Sequence, residues 1–285
     1  MRHVFVFALI VLSLVAESWA QLRPPNEAGV SLGHWHSLVR DVEAAKKFWV
    51  LLGGQPIQVD GTDVMKFPGV LVFLTPGEPS GGSMGTVVDH TGLRVPNGRE
   101  LVAKLEAAGV RMDPRNPVTG RPLNLRPDTR VWTFVYSPDD FRVEILDDVE
   151  AVQKKDLTAP ISSDLMHFYL PAVSNIPEAQ TWYAKMFGAQ PAPPVPPATN
   201  VNALMPGAKL NFIDSRNPPL PTKGRALDHV GFEVKNLEAF CKKLEAMGIK
   251  FDKPYSKTRH TSFASAELTD PWGTSLELTE GLTRF

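Results

Sequence analysis

The run Leu227-Asp228-His229-Val230-Gly231-Phe232-Glu233-Val234, closed further on by Asp270-Pro271-Trp272-Gly273-Thr274-Ser275-Leu276-Glu277-Leu278, decides how this chain folds. Val230, Phe232 and Val234 alternate with His229, Gly231 and Glu233, so a strand sends the first set to a core and His229 to the other face. At the closing end Leu276 and Leu278 form the apolar face and Glu277 shares the opposite one with Ser275 and Thr279. Between them Leu237, Phe240, Cys241 and Leu244 recur at helical spacing, which predicts an amphipathic helix and makes Cys241 a packed core thiol.

An earlier copy of this stretch lies in the same chain. Asp89-His90-Thr91-Gly92-Leu93-Arg94-Val95 matches Asp228 to Val234, Lys104 to Val110 matches Lys243 to Ile249, and Ser137 to Glu144 matches Asp270 to Glu277. The chain is an internal duplication. Working outward, residues 21–29 read as a loose leader, and a first strand carries His34 and His36 on one face. A helix follows from Val42 to Leu52, stopped by Gly53-Gly54, then strands near Val64–Lys66 and Val70–Leu74. The loop from Thr75 to Gly85 leads into the half-domain that ends at Val149. After a polar linker, 149–163, the pattern restarts with Leu165-Met166-His167-Phe168-Tyr169. Here His167 is set at the place of His34, Tyr169 at that of His36, and Trp182-Tyr183 at that of Phe48-Trp49. Two domains are expected, 30–148 and 164–282, each a doubled unit.

Arg2 and His3 precede an apolar run from Val4 to Ala16, then Ser18-Trp19-Ala20. The run is short for a membrane span of about 20 residues and reads as a secretory signal peptide, 1–20, cleaved after Ala20. The mature protein is expected to be secreted or periplasmic, with no stable membrane insertion. A net charge of −1 and 21% charged residues, without a basic stripe, argue against a nucleic-acid partner. A single cysteine rules out an internal disulfide.

These motifs resemble the vicinal oxygen chelate superfamily, which includes glyoxalase I, fosfomycin- and bleomycin-resistance proteins and extradiol dioxygenases. The resemblance rests on His34 seven residues before Asp41, on Phe48-Trp49, on His90 and His229 ahead of their Gly-x-x-Val runs, and on Glu144 and Glu277. It implies an α+β fold of tandem βαβββ units, two per domain, each pair forming a cupped mixed sheet around a metal site. The ligand sets it implies are His34, His90 and Glu144 in one domain and His167, His229 and Glu277 in the other.

Two imidazoles and a carboxylate on one side of a divalent ion leave positions open for substrate. Export favours zinc or manganese, with iron(II) as the alternative. The expected function is metal-dependent dioxygenase, isomerase or lyase chemistry on a small oxygen-bearing substrate. The alternative is a binding or sequestration protein of the bleomycin-resistance type. The strands Val70–Leu74 and Leu210–Ile213 lack the second carboxylate of a glyoxalase I-type site, and Glu267 and Phe134 stand where the extradiol pattern keeps a tyrosine. His36 is the acid–base candidate of the first site, or a fourth ligand; His260 and Glu267 are a candidate proton-transfer pair in the second. Arg121, Arg126, Arg130, Lys257 and Arg259 lie on loops that would shape a pocket. Monomer and homodimer are both compatible with the duplication.

Overall fold

The computed structural model describes residues 22–113, 132–148, 154, 158–193, 201–215 and 217–285. The segments 1–21 and 114–131 lie outside them, and with them the signal peptide, Arg121, Arg126 and Arg130. Most of the linker 149–163 does too.

Four units follow one another. The first is β1 (Val30–Val39), α1 (Val42–Leu51), β2 (Gln55–Val59), β3 (Thr62–Phe67) and β4 (Val70–Pro76). The second is β5 (Val88–Val95), α2 (Gly98–Ala107), β6 (Trp132–Tyr136) and β7 (Arg142–Asp147). The third is β8 (Ser162–Leu170), α3 (Asn175–Phe187), β9 (Gln190–Ala192), β10 (Val201–Met205) and β11 (Ala208–Asp214). The fourth is β12 (Leu227–Val234), α4 (Leu237–Ala246), β13 (Lys253–Ser256), β14 (Ala264–Thr269) and β15 (Ser275–Glu280). Local chemistry sets the helix ends. Asp41 accepts a hydrogen bond from the Ala44 N–H at 3.0 Å and starts α1, while Gly188, at φ 68°, closes α3 in the left-handed conformation that glycine adopts without strain.

The units pair in a different order from the one their place in the sequence suggests. One mixed sheet runs β13-β14-β15-β12-β1-β4-β3-β2 and joins the fourth unit to the first; the other runs β6-β7-β5-β8-β11-β10-β9 and joins the second to the third. Each join is antiparallel, β1 on β12 and β5 on β8. The chain crosses between sheets where the two inter-unit loops run together. There the Val87 N–H donates to Leu220 O, the Leu220 N–H to Gly85 O and the Ala226 N–H to Gly81 O. The expected α+β architecture of paired units on two mixed sheets holds, but the pairing of the first unit with the second does not.

Both sheets turn their apolar faces and helices to one shared core. Trp35 and Trp49 of the first unit meet Phe141 of the second at ring distances of 6.4 and 5.4 Å, and Phe187 of the third meets Phe232 of the fourth at 4.9 Å. Cys241 is buried in this core as its spacing predicts. The segment after residue 21 is not loose. Leu22 is buried, and the Asn26 amide donates to the Phe187 and Gly188 carbonyls at the end of α3.

The first and third units correspond strand for strand in element order and register. The Leu32 N–H donates to Pro206 O, and the Ser163 N–H donates to Pro68 O in the mirror contact. On the neighbouring strands His34 is in register with Leu71 and Gly231, and Leu165 with Lys209 and Gly92. His36 faces His229 as His167 faces His90. His167 therefore stands at the position of His36, and Leu165 at that of His34, which corrects the sequence assignment. The residues between β8 and α3 form a longer connection than Arg40 and Asp41 do, so counting back from the helix misplaces the strand.

Candidate metal centres

Two clusters of ligand-type side chains lie on the sheet faces turned away from the shared core. His34, His36, His229 and Glu277 form one, and His90, Glu144 and His167 the other; within each, one ligand atom per residue comes within 4.8 Å of all the rest. The sets expected from the sequence, His34 with His90 and Glu144, and His167 with His229 and Glu277, are thus regrouped. The reason is the sheet order, which puts β1 beside β12 and β8 beside β5.

The second and fourth units build their histidines identically. In one, His90 Nδ1 lies 2.7 Å from Asp89 Oδ1 and the Gly85 N–H donates to Asp89 Oδ2 at 2.7 Å. In the other, His229 Nδ1 lies 2.6 Å from Asp228 Oδ1 and the Gly224 N–H donates to Asp228 Oδ2 at 2.6 Å. A carboxylate on Nδ1 fixes the proton there and leaves the Nε2 lone pair facing the site. Burial opposes ionisation of Asp89, but the His90 ring and the Gly85 N–H outweigh it and hold the carboxyl at about 2. Asp228 is lowered in the same way. These two aspartates were visible in the sequence as the residue before each repeated histidine, yet only the structure gives them a task.

In the first cluster His229 Nε2 is 3.2 Å and His34 Nε2 2.9 Å from Glu277 Oε2. His34 is 1% exposed, and neither of its nitrogens has hydrogen-bond geometry with any partner. The ring fits because residue 231 is glycine: a Cβ there would stand 2.0 Å from His34 Cε1. The His36 ring is 4.2 Å from that of His229, and its Nε2 is 2.7 Å from Thr75 Oγ1. Burial, then His229 and His34, push the His36 pKa well below the usual value, so it is neutral. Burial works against the Glu277 carboxylate, but His229 and His34 hold its pKa well below the usual range.

In the second cluster His90 Nε2 is 3.3 Å from Glu144 Oε2, which is buried without a hydrogen-bond partner. His167 Nδ1 is 2.5 Å from His90 Nε2 and 3.7 Å from Glu144 Oε2. Burial, with His90 and Lys209 next in weight, keeps His167 neutral. Buried polar atoms without a hydrogen-bond partner, here both His34 nitrogens and Glu144 Oε2, are costly in a folded protein. A shared divalent cation would remove that cost; it takes imidazole in the neutral form, so His90 and His229, whose pKa burial lowers but their carboxylate neighbours raise by more, would give up the extra proton on binding it. The residues fit a metal in both places.

The other two acid–base candidates are placed differently. Glu267 lies on the site face of β14, in register with Glu277 on β15, and its carboxylate is engaged by Lys253 at 2.7 Å and Lys223 at 3.4 Å. His260 is exposed on the loop between β13 and β14, as are Lys257 and Arg259, and it belongs to neither cluster.

Residues 166–278 match the family model described as Glyoxalase/Bleomycin resistance protein/Dioxygenase superfamily. No curated protein matches the chain. Among solved structures, glyoxalase I from Zea mays is 14% identical at a TM-score of 0.65, with 90% of this chain and 94% of that one covered. A putative dioxygenase from Bacillus subtilis subsp. subtilis str. 168 is 13% identical at a TM-score of 0.63, with 92% and 86% covered. At these identities the likeness is one of fold.

Proposed function

We propose that the chain is a member of the Glyoxalase/Bleomycin resistance protein/Dioxygenase superfamily, whose model matches residues 166–278, and that it is an exported metal-dependent enzyme acting on a small oxygen-bearing substrate. The observation that carries the reading is His34, a buried imidazole with neither nitrogen hydrogen-bonded, beside the Glu277 carboxylate and the Nε2 of His229. His34, His229 and Glu277 would hold a divalent ion, zinc or manganese for an exported protein, and the ion would supply Lewis-acid polarisation of adjacent substrate oxygens.

The chain's own residues narrow the chemistry. Beside the first cluster, on β4, stand Leu71 and Phe73, so that wall offers no further carboxylate. The His36 ring stands 4.2 Å from that of His229 with its Nε2 held by Thr75 Oγ1, which places it as the proton acceptor for a substrate held next to His229. Dioxygenase, isomerase and lyase chemistry all use such a proton acceptor.

Purified protein is expected to carry about two metal ions per chain, with Glu277→Ala and Glu144→Ala each losing about one. Metal-loaded protein is then expected to turn over a catechol or a 2-oxo or 2-hydroxy acid, and His36→Gln to lower kcat by roughly a hundredfold or more with metal content unchanged. Unchanged metal content in both glutamate variants would sink the reading. Tight ligand binding without turnover would replace it with sequestration.

A further inference from the structure

We propose that the second cluster floors a ligand site of its own that takes a small hydroxy acid, with the carboxylate on Lys209 and the hydroxyl on Asn211. The inference rests on reading His90, Glu144 and His167 as a metal site, and it extends that reading to the wall beside them.

The wall is β11 with β10 behind it. Met166, Phe168, Leu210 and Phe212 point into the shared core, so the residues that alternate with them, Leu165, His167, Lys209 and Asn211, share the cluster's face. Asn211 is in register with His167 on one side and with Asn202 on the other. It is 3% exposed, and the side-chain oxygens of both asparagines are buried without a hydrogen-bond partner. Lys209, in register with Leu165, makes no ion pair among the described residues, and its charge is felt at His167. Two buried amide oxygens without a partner and an ammonium with no ion pair among the described residues, next to a metal-type cluster, are suited to recognise an anion that also carries a hydroxyl. The amides can present either an acceptor or a donor to it.

The equivalent wall of the first cluster has the opposite character. Leu71 and Phe73 replace Lys209 and Asn211 and, with Val64, pack under Leu22 and Leu282 in a small apolar core. The C-terminal turn is pinned over that side by Glu233, whose Oε1 accepts from the Gly281 and Leu282 N–H groups at 2.7 and 3.0 Å. One fold thus presents an apolar pocket wall in one sheet and a polar, cationic wall in the other.

The test uses the full mature chain loaded with Mn²⁺ and carrying Glu277→Ala, so that only the second cluster holds metal. Lactate, propionate and propane-1,2-diol are titrated calorimetrically; the last two lack the hydroxyl and the carboxylate respectively. Lactate is expected to bind at least about tenfold more tightly than either. Lys209→Met should weaken lactate about tenfold and leave the diol unchanged, and Asn211→Leu should weaken lactate and leave propionate unchanged. Both variants should keep one Mn²⁺ per chain. Equal affinity for the three probes, or lactate binding untouched by Lys209→Met while Mn²⁺ is retained, would overturn the proposal. Absence of Mn²⁺ from the Glu277→Ala protein would instead refute the metal reading beneath it.

Discussion

Gly231→Ala is expected to strip one metal from the protein while leaving the second in place. The glycine is not needed for its backbone, which is that of an ordinary strand. It is needed because the His34 imidazole occupies the space of the missing side chain, with its Cε1, Nδ1 and Nε2 at 2.0, 2.1 and 2.5 Å from an added Cβ. The ring has no alternative place, since it is buried between Phe73 at 5.0 Å and His229 at 5.6 Å. Forcing a methyl group into such a contact costs about 1–3 kcal/mol and moves a ligand away from Glu277. Gly92, the same position in the other sheet, is the control. There an added Cβ meets Leu165, at 2.7 Å, in place of a ligand, so Gly92→Ala should lower the melting temperature and keep both metals. Metal analysis of the two variants checks this; equal losses, or none, would contradict it.

The second large effect concerns the halves. A fragment ending at residue 148 contains the first and second units, which share no strand pairing among the described residues. In it β1 loses β12 and β5 loses β8, so two central strands become open edges with exposed backbone N–H and C=O groups. The fragment 22–148 is expected not to fold as a cooperative monomer, and co-expression with 149–285 is expected to restore soluble, metal-binding protein. A monomeric 22–148 that unfolds cooperatively on heating would contradict the sheet order.

Much of this was legible in the sequence. The alternation around His229 and Glu277 placed both on one face, and the second copy around His90 and Glu144 did the same, because strand side-chain periodicity is local. Asp41 seven residues after His34 was legible too, and the structure gives its reason as the cap of α1. What a repeat cannot state is which copies pair. Strand pairing is set by contacts far apart in sequence, here Val30 with Val234, so adjacency along the chain suggested the wrong partners. The role of His167 was misread for a second reason: a longer connection after β8 broke the count that works in the first unit. His260 reads with Glu267 as a proton-transfer pair because both precede Glu277 in the same unit, but a loop residue's position is not fixed by alternation.

The regrouping itself is tested most directly by counting metals in two double variants by native mass spectrometry. His34→Ala with Glu277→Ala strikes one cluster twice, and His34→Ala with Glu144→Ala strikes both clusters once. The first pair is expected to retain one metal per chain and the second none. The reverse result, one metal retained in the second pair and none in the first, would mean that His34 and Glu144 serve the same ion and that the sheets do not pair as described.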